Sequence, residues 1–212
     1  MVRMVVSVCM RTSFMAKTRI FSSTPIALPL KRSFSRSSSR HNCDAKHLLP
    51  EFSLKDRVII VSGGARGVGL TQAEALLEAG AVVHALDRLP APGKDSDFSR
   101  VVDRAISELN TRLSYHRVDV RDQKRLGDIV GSIAECEGRL DGLIAAAGIQ
   151  QVTPALEYTA EDCEKMLATY VTGVFLTAQA VAREMIKRKQ KGSMVLIGSM
   201  SGTVANRGLI CP

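Results

Sequence analysis

"SGGARGVGL" occupies Ser62–Leu70, and its reading decides the fold. Before it runs "DRVIIVSGG" (Asp56–Gly64), a β-branched stretch that predicts a buried strand. After it runs "LTQAEALLEAG" (Leu70–Gly80), a set of helix formers closed by glycine. A glycine-rich turn that leaves a strand and opens a helix gathers unpaired N–H groups at the positive end of the helix dipole, where a diphosphate is best held. The glycines have separable duties. Gly63 permits the tight turn off the strand, Gly67 lets the backbone approach phosphates, and Gly69 lets the helix pack closely on the strand.

Strands and helices alternate outward from that turn. "AVVHALDR" (Ala81–Arg88) predicts a second strand whose end carries Asp87, an acid able to accept hydrogen bonds from ribose hydroxyls. "PAPGKDSD" (Pro90–Asp97) is a surface loop, and Val101, Val102, Ala105, Ile106, Leu109 and Leu113 then mark one helical face. "LSYHRVDV" (Leu113–Val120) is a third strand, and Leu126, Ile129, Val130 and Ile133 give the next helical stripe. "LDGLIAAAG" (Leu140–Gly148) is a fourth strand. Thr159 with Asp162 forms a capping box for a long helix through Met166, Tyr170, Val174, Ala178, Val181 and Met185. "SMVLIGS" (Ser193–Ser199) is the fifth strand. The alternation predicts an α/β fold, a Rossmann-like doubly wound parallel sheet covered on both faces.

These motifs in this order resemble the classical branch of the short-chain dehydrogenase/reductase family, over about Glu51 to Pro212. The spacing GxxxGxG, with Ser62 where the family has Thr, matches its phosphate loop. Asp119 in "VDV" matches its acid near the adenine ring, with Val120 beside it. "AAAG" (Ala145–Gly148) lies where the family has NNAG, so Ala146 and Gly148 join Ser62, Gly63, Arg66, Gly67, Val68, Gly69 and Asp87 as the cofactor-binding residues the resemblance implies. "VTGVF" (Val171–Phe175) matches the middle of the family's long interface helix, and Ser199 its catalytic serine. The wording of residues 52–88 is also similar to fungal members acting on sugar alcohols or ketoses. The resemblance thus implies a hydride transfer between NAD(P) and an alcohol or ketone, in a homo-oligomer when the chain is full length. Asp87 would repel the 2′-phosphate of NADP, so NAD is the expected cofactor, with Arg66 and Arg88 able to offset that repulsion.

Charge is unevenly placed. Of the 29 Lys and Arg, eight fall within residues 1–43, which contain no acid; from Asp44 onward 21 basic residues face 21 acidic ones. The body is neutral, so nothing in it points to nucleic acid. "KRKQK" (Lys187–Lys191) follows a helical pattern and reads as cations at a helix C-terminus. Residues 1–43 are rich in Arg and Ser, which matches a mitochondrial targeting leader; cytoplasmic residence is the alternative. "RIFSS" (Arg19–Ser23) and "RSFSR" (Arg32–Arg36) resemble sites cut by matrix proteases between Phe and Ser. No apolar run is long enough to span a membrane. The five cysteines show no CxxC pair, and no metal site is expected.

The family's chemistry uses a Tyr with a Lys four residues later, the Lys lowering a phenol pKa that is otherwise near 10. Here Tyr115, Tyr158 and Tyr170 are followed at that distance by Asp119, Asp162 and Val174. Tyr170 stands where the family has its helix Asn, and alanines replace both Asn of NNAG. Ser199 is left as the only matched catalytic residue. The chain therefore reads as C-terminally incomplete, five strands of the usual seven, with "MVLIG" as an open apolar edge. The corresponding expectations are poor solubility and no turnover. The alternative function is a non-catalytic dinucleotide-binding subunit acting through a partner.

Overall fold

A computed structural model describes residues 50–199 and the backbone of residues 2–9. The organising strand is β2 (Val58–Ser62), in which all five residues are buried. Alternate residues leave a strand on opposite faces, so full burial requires cover on both sides. Ile59 and Val61 pack with α1 (Gly67–Glu78) and α2 (Asp97–Ser107), while Val58 and Ile60 pack with α3 (Gln123–Glu137) and the later helix α5 (Val174–Lys187). Residues as enclosed as Ile60, Val61, Leu77 and Val130 each stabilise the fold by roughly 1.5–3 kcal/mol.

The other strands are β1 (Val2–Cys9), β3 (Val82–Asp87), β4 (Leu113–Arg117), β5 (Gly142–Ala145) and β6 (Gly192–Ser199). Every neighbouring pair is parallel, in the order β1-β6-β5-β2-β3-β4. The chain winds outward from β2 through β3 to β4, then crosses back to β5 and β6. The direction reverses between β2 and β5, and a doubly wound sheet opens its ligand crevice there, at the carboxyl ends of the strands.

Local signals set the helix ends. Ser96 caps α2 through Ser99 N–H, and Asp122 caps α3 through Arg125 N–H. Gly80 and Gly138 hold the left-handed conformation past α1 and α3. The expected Thr159 cap accepts from Asp162 N–H at 3.1 Å, opening α4 (Ala160–Leu167). "KRKQK" ends α5, with Lys187 and Arg188 both near the Glu184 carboxylate.

Two features depart from the expectations. The long helix is not uniform, since Ala168–Gly173 between α4 and α5 is a π-helical segment. The β6 edge is also not open. β1, drawn from the stretch whose composition reads as a leader, pairs with β6 over eight residues, from Val2 opposite Gly192 to Cys9 opposite Ser199. Four valines in those eight residues suit a strand, and the unpaired amides of β6 supply the template. Residues 200–212, with Ser201 and Cys211, lie outside the described residues, as do residues 10–49, with both Phe–Ser sites and Cys43. Among the described residues, no helix is long and apolar enough to cross a membrane.

Candidate functional site: the crevice between β2 and β5

The turn after β2 is built by three glycines under three different constraints. Gly63 has φ +72, and a Cβ on it would lie 2.7 Å from Ala147 Cα across the crevice. A Cβ on Gly69 would collide with the Gly63 carbonyl, so the first turn of α1 can lie on the loop only because that atom is missing. Gly67 differs. It has φ +58, and apart from its chain neighbours and the backbone of its own helix no described atom lies within 4 Å of its ideal Cβ. Gly67 is exposed, and the space beside it is open.

That space lies at an uncapped helix end. Arg66 holds the N-cap position in extended conformation without a side-chain cap bond, and the first turn has no acid. The free N–H groups and the positive dipole end thus face open space, the electrostatic requirement for a diphosphate. Arg66 and Val68 are exposed at the same place. Ser62 behaves differently from its neighbours: it is buried, and its hydroxyl accepts from Ala147 N–H at 3.3 Å. It braces the floor of the crevice, with a second tie from Ala146 N–H to the Ser62 carbonyl at 3.1 Å.

Asp87 ends β3 and turns its carboxylate back to this loop. One oxygen accepts from Ala65 N–H at 3.3 Å and the other from Leu89 N–H at 3.1 Å. Each oxygen keeps capacity for a further donor. Tyr115 on β4 secures the same corner. Its hydroxyl donates to the Leu89 carbonyl at 2.6 Å, and its ring meets Phe98 edge-on at 5.5 Å. Burial pushes the Tyr115 phenol up, keeping it a donor. Sequence reasoning missed Tyr115 as a brace for the loop, although alternation along β4 set its ring opposite to that of His116.

Beyond β4, Asp119 is gripped by Arg121 through Nε and Nη2 and lies below the usual carboxylate range because of those hydrogen bonds. Val120 is buried, and a Cβ on Gly173 would lie 2.6 Å from its Cγ2. Gly173 therefore lets the π segment close on the end of β4.

On the β5 side, Ala145 is buried, while Ala146, Ala147 and Gly148 lead out of the sheet. A Cβ on Gly148 would lie 2.8 Å from the Tyr170 hydroxyl. That hydroxyl donates to the Ile149 carbonyl in a short hydrogen bond, and burial raises its pKa. Tyr170 is thus a half-buried clamp on the β5 exit. Ser199 ends β6, half-buried, on the same carboxyl edge as Ser62, Asp87 and Ala145. Gln150 is exposed, and the Gln151 amide donates to Thr153 Oγ1 at 3.3 Å.

A second polar group lies behind β3, away from the crevice. His84 Nε2 is 3.0 Å from a Glu137 oxygen, and His84 Nδ1 is 2.9 Å from His116 Nε2. A carboxylate only accepts, so His84 carries its proton on Nε2 and accepts at Nδ1 from His116. Burial lowers the pKa of both imidazoles. Burial would raise the Glu137 carboxyl, yet Arg112 and His84 together hold it below its ordinary value.

A doubly wound parallel sheet, an uncapped glycine turn at its switch point and an acid at the end of the next strand define a dinucleotide-binding α/β protein. The profile described as short chain dehydrogenase matches residues 57–211, and the chain belongs to that family. It is 37% identical over 159 residues to a protein named short chain dehydrogenases/reductase notP′ from Aspergillus versicolor, covering 74% of this chain and 54% of that one. It is 29% identical over 168 residues to D-arabinitol 2-dehydrogenase [ribulose-forming] from Candida albicans, covering 76% of this chain and 59% of that one. The crystal structure of carveol dehydrogenase from Mycobacterium avium in complex with NAD superposes with a TM-score of 0.65 at 28% identity, covering 74% of this chain and 59% of that one. The chain spans less than two thirds of the length of these relatives.

Proposed function

We propose that the chain binds NAD in the β2–β5 crevice and belongs to an oxidoreductase acting on a polyol or ketose. One observation carries the cofactor reading: the uncapped start of α1, with Gly67 facing open space, stands beside the Asp87 carboxylate. The α1 amides suit the diphosphate, and the two Asp87 oxygens suit ribose hydroxyls. A 2′-phosphate would meet the same carboxylate, which favours NAD over NADP; Arg66 and Arg88, both exposed, are placed to soften that preference. Bound nicotinamide would supply the hydride chemistry. Ser199 would donate a hydrogen bond to the substrate oxygen at the mouth of the crevice. Similarity to the arabinitol dehydrogenase supports the substrate class.

Calorimetric titration tests the cofactor reading. NAD should bind more tightly than NADP, and Asp87→Asn should weaken NAD about tenfold or more, the worth of a hydrogen bond to a charged group. Unchanged NAD affinity in that variant would overturn the assignment.

A second reading, a non-catalytic dinucleotide-binding subunit, is favoured by one specific observation. Tyr170 is committed to the Ile149 carbonyl, and neither Tyr115 nor Tyr158 has a lysine four residues on. NAD binding without oxidation of D-arabinitol by the purified chain supports this second reading; turnover supports the first. Assembly with a second copy would use the long helix, where Leu167, Val171 and Phe175 stand exposed one turn apart. Residues 1–43 are proposed as a mitochondrial leader, tested by the compartment a reporter reaches when fused behind them.

A further inference from the structure

The turn that carries Asp87 is wrapped around one hydroxyl. Tyr115 stands opposite Ala85 in the β3–β4 register, and its phenol reaches past the end of β3. There it donates to the Leu89 carbonyl at 2.6 Å, with the carbonyls of Asp87 and Pro90 farther off at 3.4 and 3.5 Å. A phenol has one proton to give, so the Leu89 bond is the one it makes fully. Among the described residues nothing else donates to that carbonyl. On its other side Leu89 holds the acid: its N–H donates to one Asp87 oxygen at 3.1 Å, while Ala65 N–H in the glycine loop donates to the other at 3.3 Å. The set of the carboxylate thus depends on Leu89, and the place of Leu89 depends on the phenol. The ring is itself fixed, edge-on at 5.5 Å against the buried Phe98 of α2.

We infer that Tyr115 is a positioning residue for the cofactor's adenosine ribose, acting through Leu89 on Asp87, and that it sets the discrimination between a free and a 2′-phosphorylated ribose. This rests on the reading of the β2–β5 crevice as the NAD site. Two ribose hydroxyls are best met by two acceptor oxygens already held in place, because no ordering is then left for the ligand to impose. The same fixity works against a phosphate, since a carboxylate that cannot turn aside keeps its charge where the 2′-phosphate must lie. Released from Leu89, the carboxylate would rotate away and leave the exposed Arg66 and Arg88 to meet the phosphate. Loosening the turn therefore costs affinity for NAD and spares NADP. A purely structural role for Tyr115 predicts no such difference, because both cofactors share the rest of the nucleotide.

Calorimetric titration of the full chain with NAD and with NADP tests this, in the parent, Tyr115→Phe, Asp87→Asn and the double variant. Tyr115→Phe keeps the ring and its contact with Phe98 and removes only the hydroxyl. It should weaken NAD about threefold to tenfold, the worth of one hydrogen bond, and leave NADP no weaker than in the parent. The preference for NAD then shrinks by that factor. In the Asp87→Asn background the same substitution should change NAD affinity by less than about twofold, because the group it acts through is already altered. Equal weakening of both cofactors, or additive effects of the two substitutions, overturns the inference and leaves the NAD site standing. Parental NAD affinity in Asp87→Asn overturns the site itself, and the inference with it. Amide hydrogen exchange without cofactor tests the mechanical link separately. The Leu89 amide should exchange at least about fivefold faster in Tyr115→Phe, with Ile60 and Val61 unchanged. A Leu89 amide that keeps its protection, or that quickens only in step with Ile60 and Val61, rejects the link.

Discussion

On the β2–β3–β4 side of the crevice, the polar groups at the strand ends are already engaged. Ser62 holds Ala147, Asp87 holds Ala65 and Leu89, Tyr115 holds Leu89, and Asp119 holds Arg121. On the β5–β6 side the exit from β5 is Ala145–Gly148, with no side chain able to donate or accept, and the clamp is a tyrosine that reaches across from the π segment. The difference teaches where this chain's capacity lies. Gripping a nucleotide needs rigid amides and a fixed carboxylate, and the first side supplies both. Moving a proton needs an acid or base at the reacting atoms, and on the second side the Tyr170 phenol is committed to the Ile149 carbonyl while Ser199 stands at the end of β6.

The largest break in that contrast should come from Gly69→Ala. Its Cβ would be driven into the Gly63 carbonyl, backbone that cannot step aside, so stability should fall by about 2–3 kcal/mol as for overpacking. Urea unfolding measures this, and a midpoint matching the parent would mean the loop is softer than its geometry requires. Gly67→Ala sharpens the comparison from the other direction. Its Cβ meets nothing, so the stability cost should be only the left-handed backbone penalty of about 1 kcal/mol. The methyl group would occupy the space assigned to phosphate, so NAD affinity should fall by about tenfold or more, out of proportion to that penalty. Loss of stability without loss of affinity would place the diphosphate elsewhere.

The polar network behind β3 offers a pH test confined to the well-braced side. His84 and His116 titrate lower folded than unfolded, where histidine lies near 6.5. As pH falls below about 6.5 the unfolded chain takes up protons first, so stability declines. Glu137 is also depressed when folded. Its contribution is present above the unfolded carboxylate value and is lost as pH falls through the lower folded one. Both effects therefore act in the same direction, in successive windows. Thermal unfolding should be flat between pH 7 and 8 and fall through the range below 6.5, with a smaller slope in His84→Gln. An identical Tm at pH 7.5 and 5.5 contradicts the neutral pair.

Much of this architecture was legible because it is local. β2 is a β-branched run with glycines behind it, α1 ends at a glycine, and Thr159 with Asp162 marks a helix start. Asp87 and the three glycines could be placed because spacing along one βαβ unit fixes their relative positions. What was not legible is assembled from distant segments. His84, His116, Glu137 and Arg112 belong to three elements and the turn before β4, and the β3–β4 pairing together with the placement of the α3 end brings them together. The pairing of β1 with β6 was hidden because the charge of residues 1–43 dominates their composition, while pairing depends on a strand nearly two hundred residues away. The π segment leaves no trace in a stripe whose period stays helical on either side.

Tyr170→Phe tests the weaker side and should have the smallest effect. The phenyl ring keeps its packing against Gly148, and only the bond to the Ile149 carbonyl is lost. Stability should drop by about 1 kcal/mol, the net value of one hydrogen bond, with some of that recovered if water reaches the carbonyl. NAD affinity should stay within about twofold, because the α1 amides and Asp87 do not depend on this clamp. Amide exchange should quicken around Ile149–Thr153 and leave Ala65 and Leu89 unchanged. If NAD affinity instead collapsed with Tyr170→Phe, the two sides of the crevice would be one mechanical unit, and the division between a gripping side and a bare one would fail.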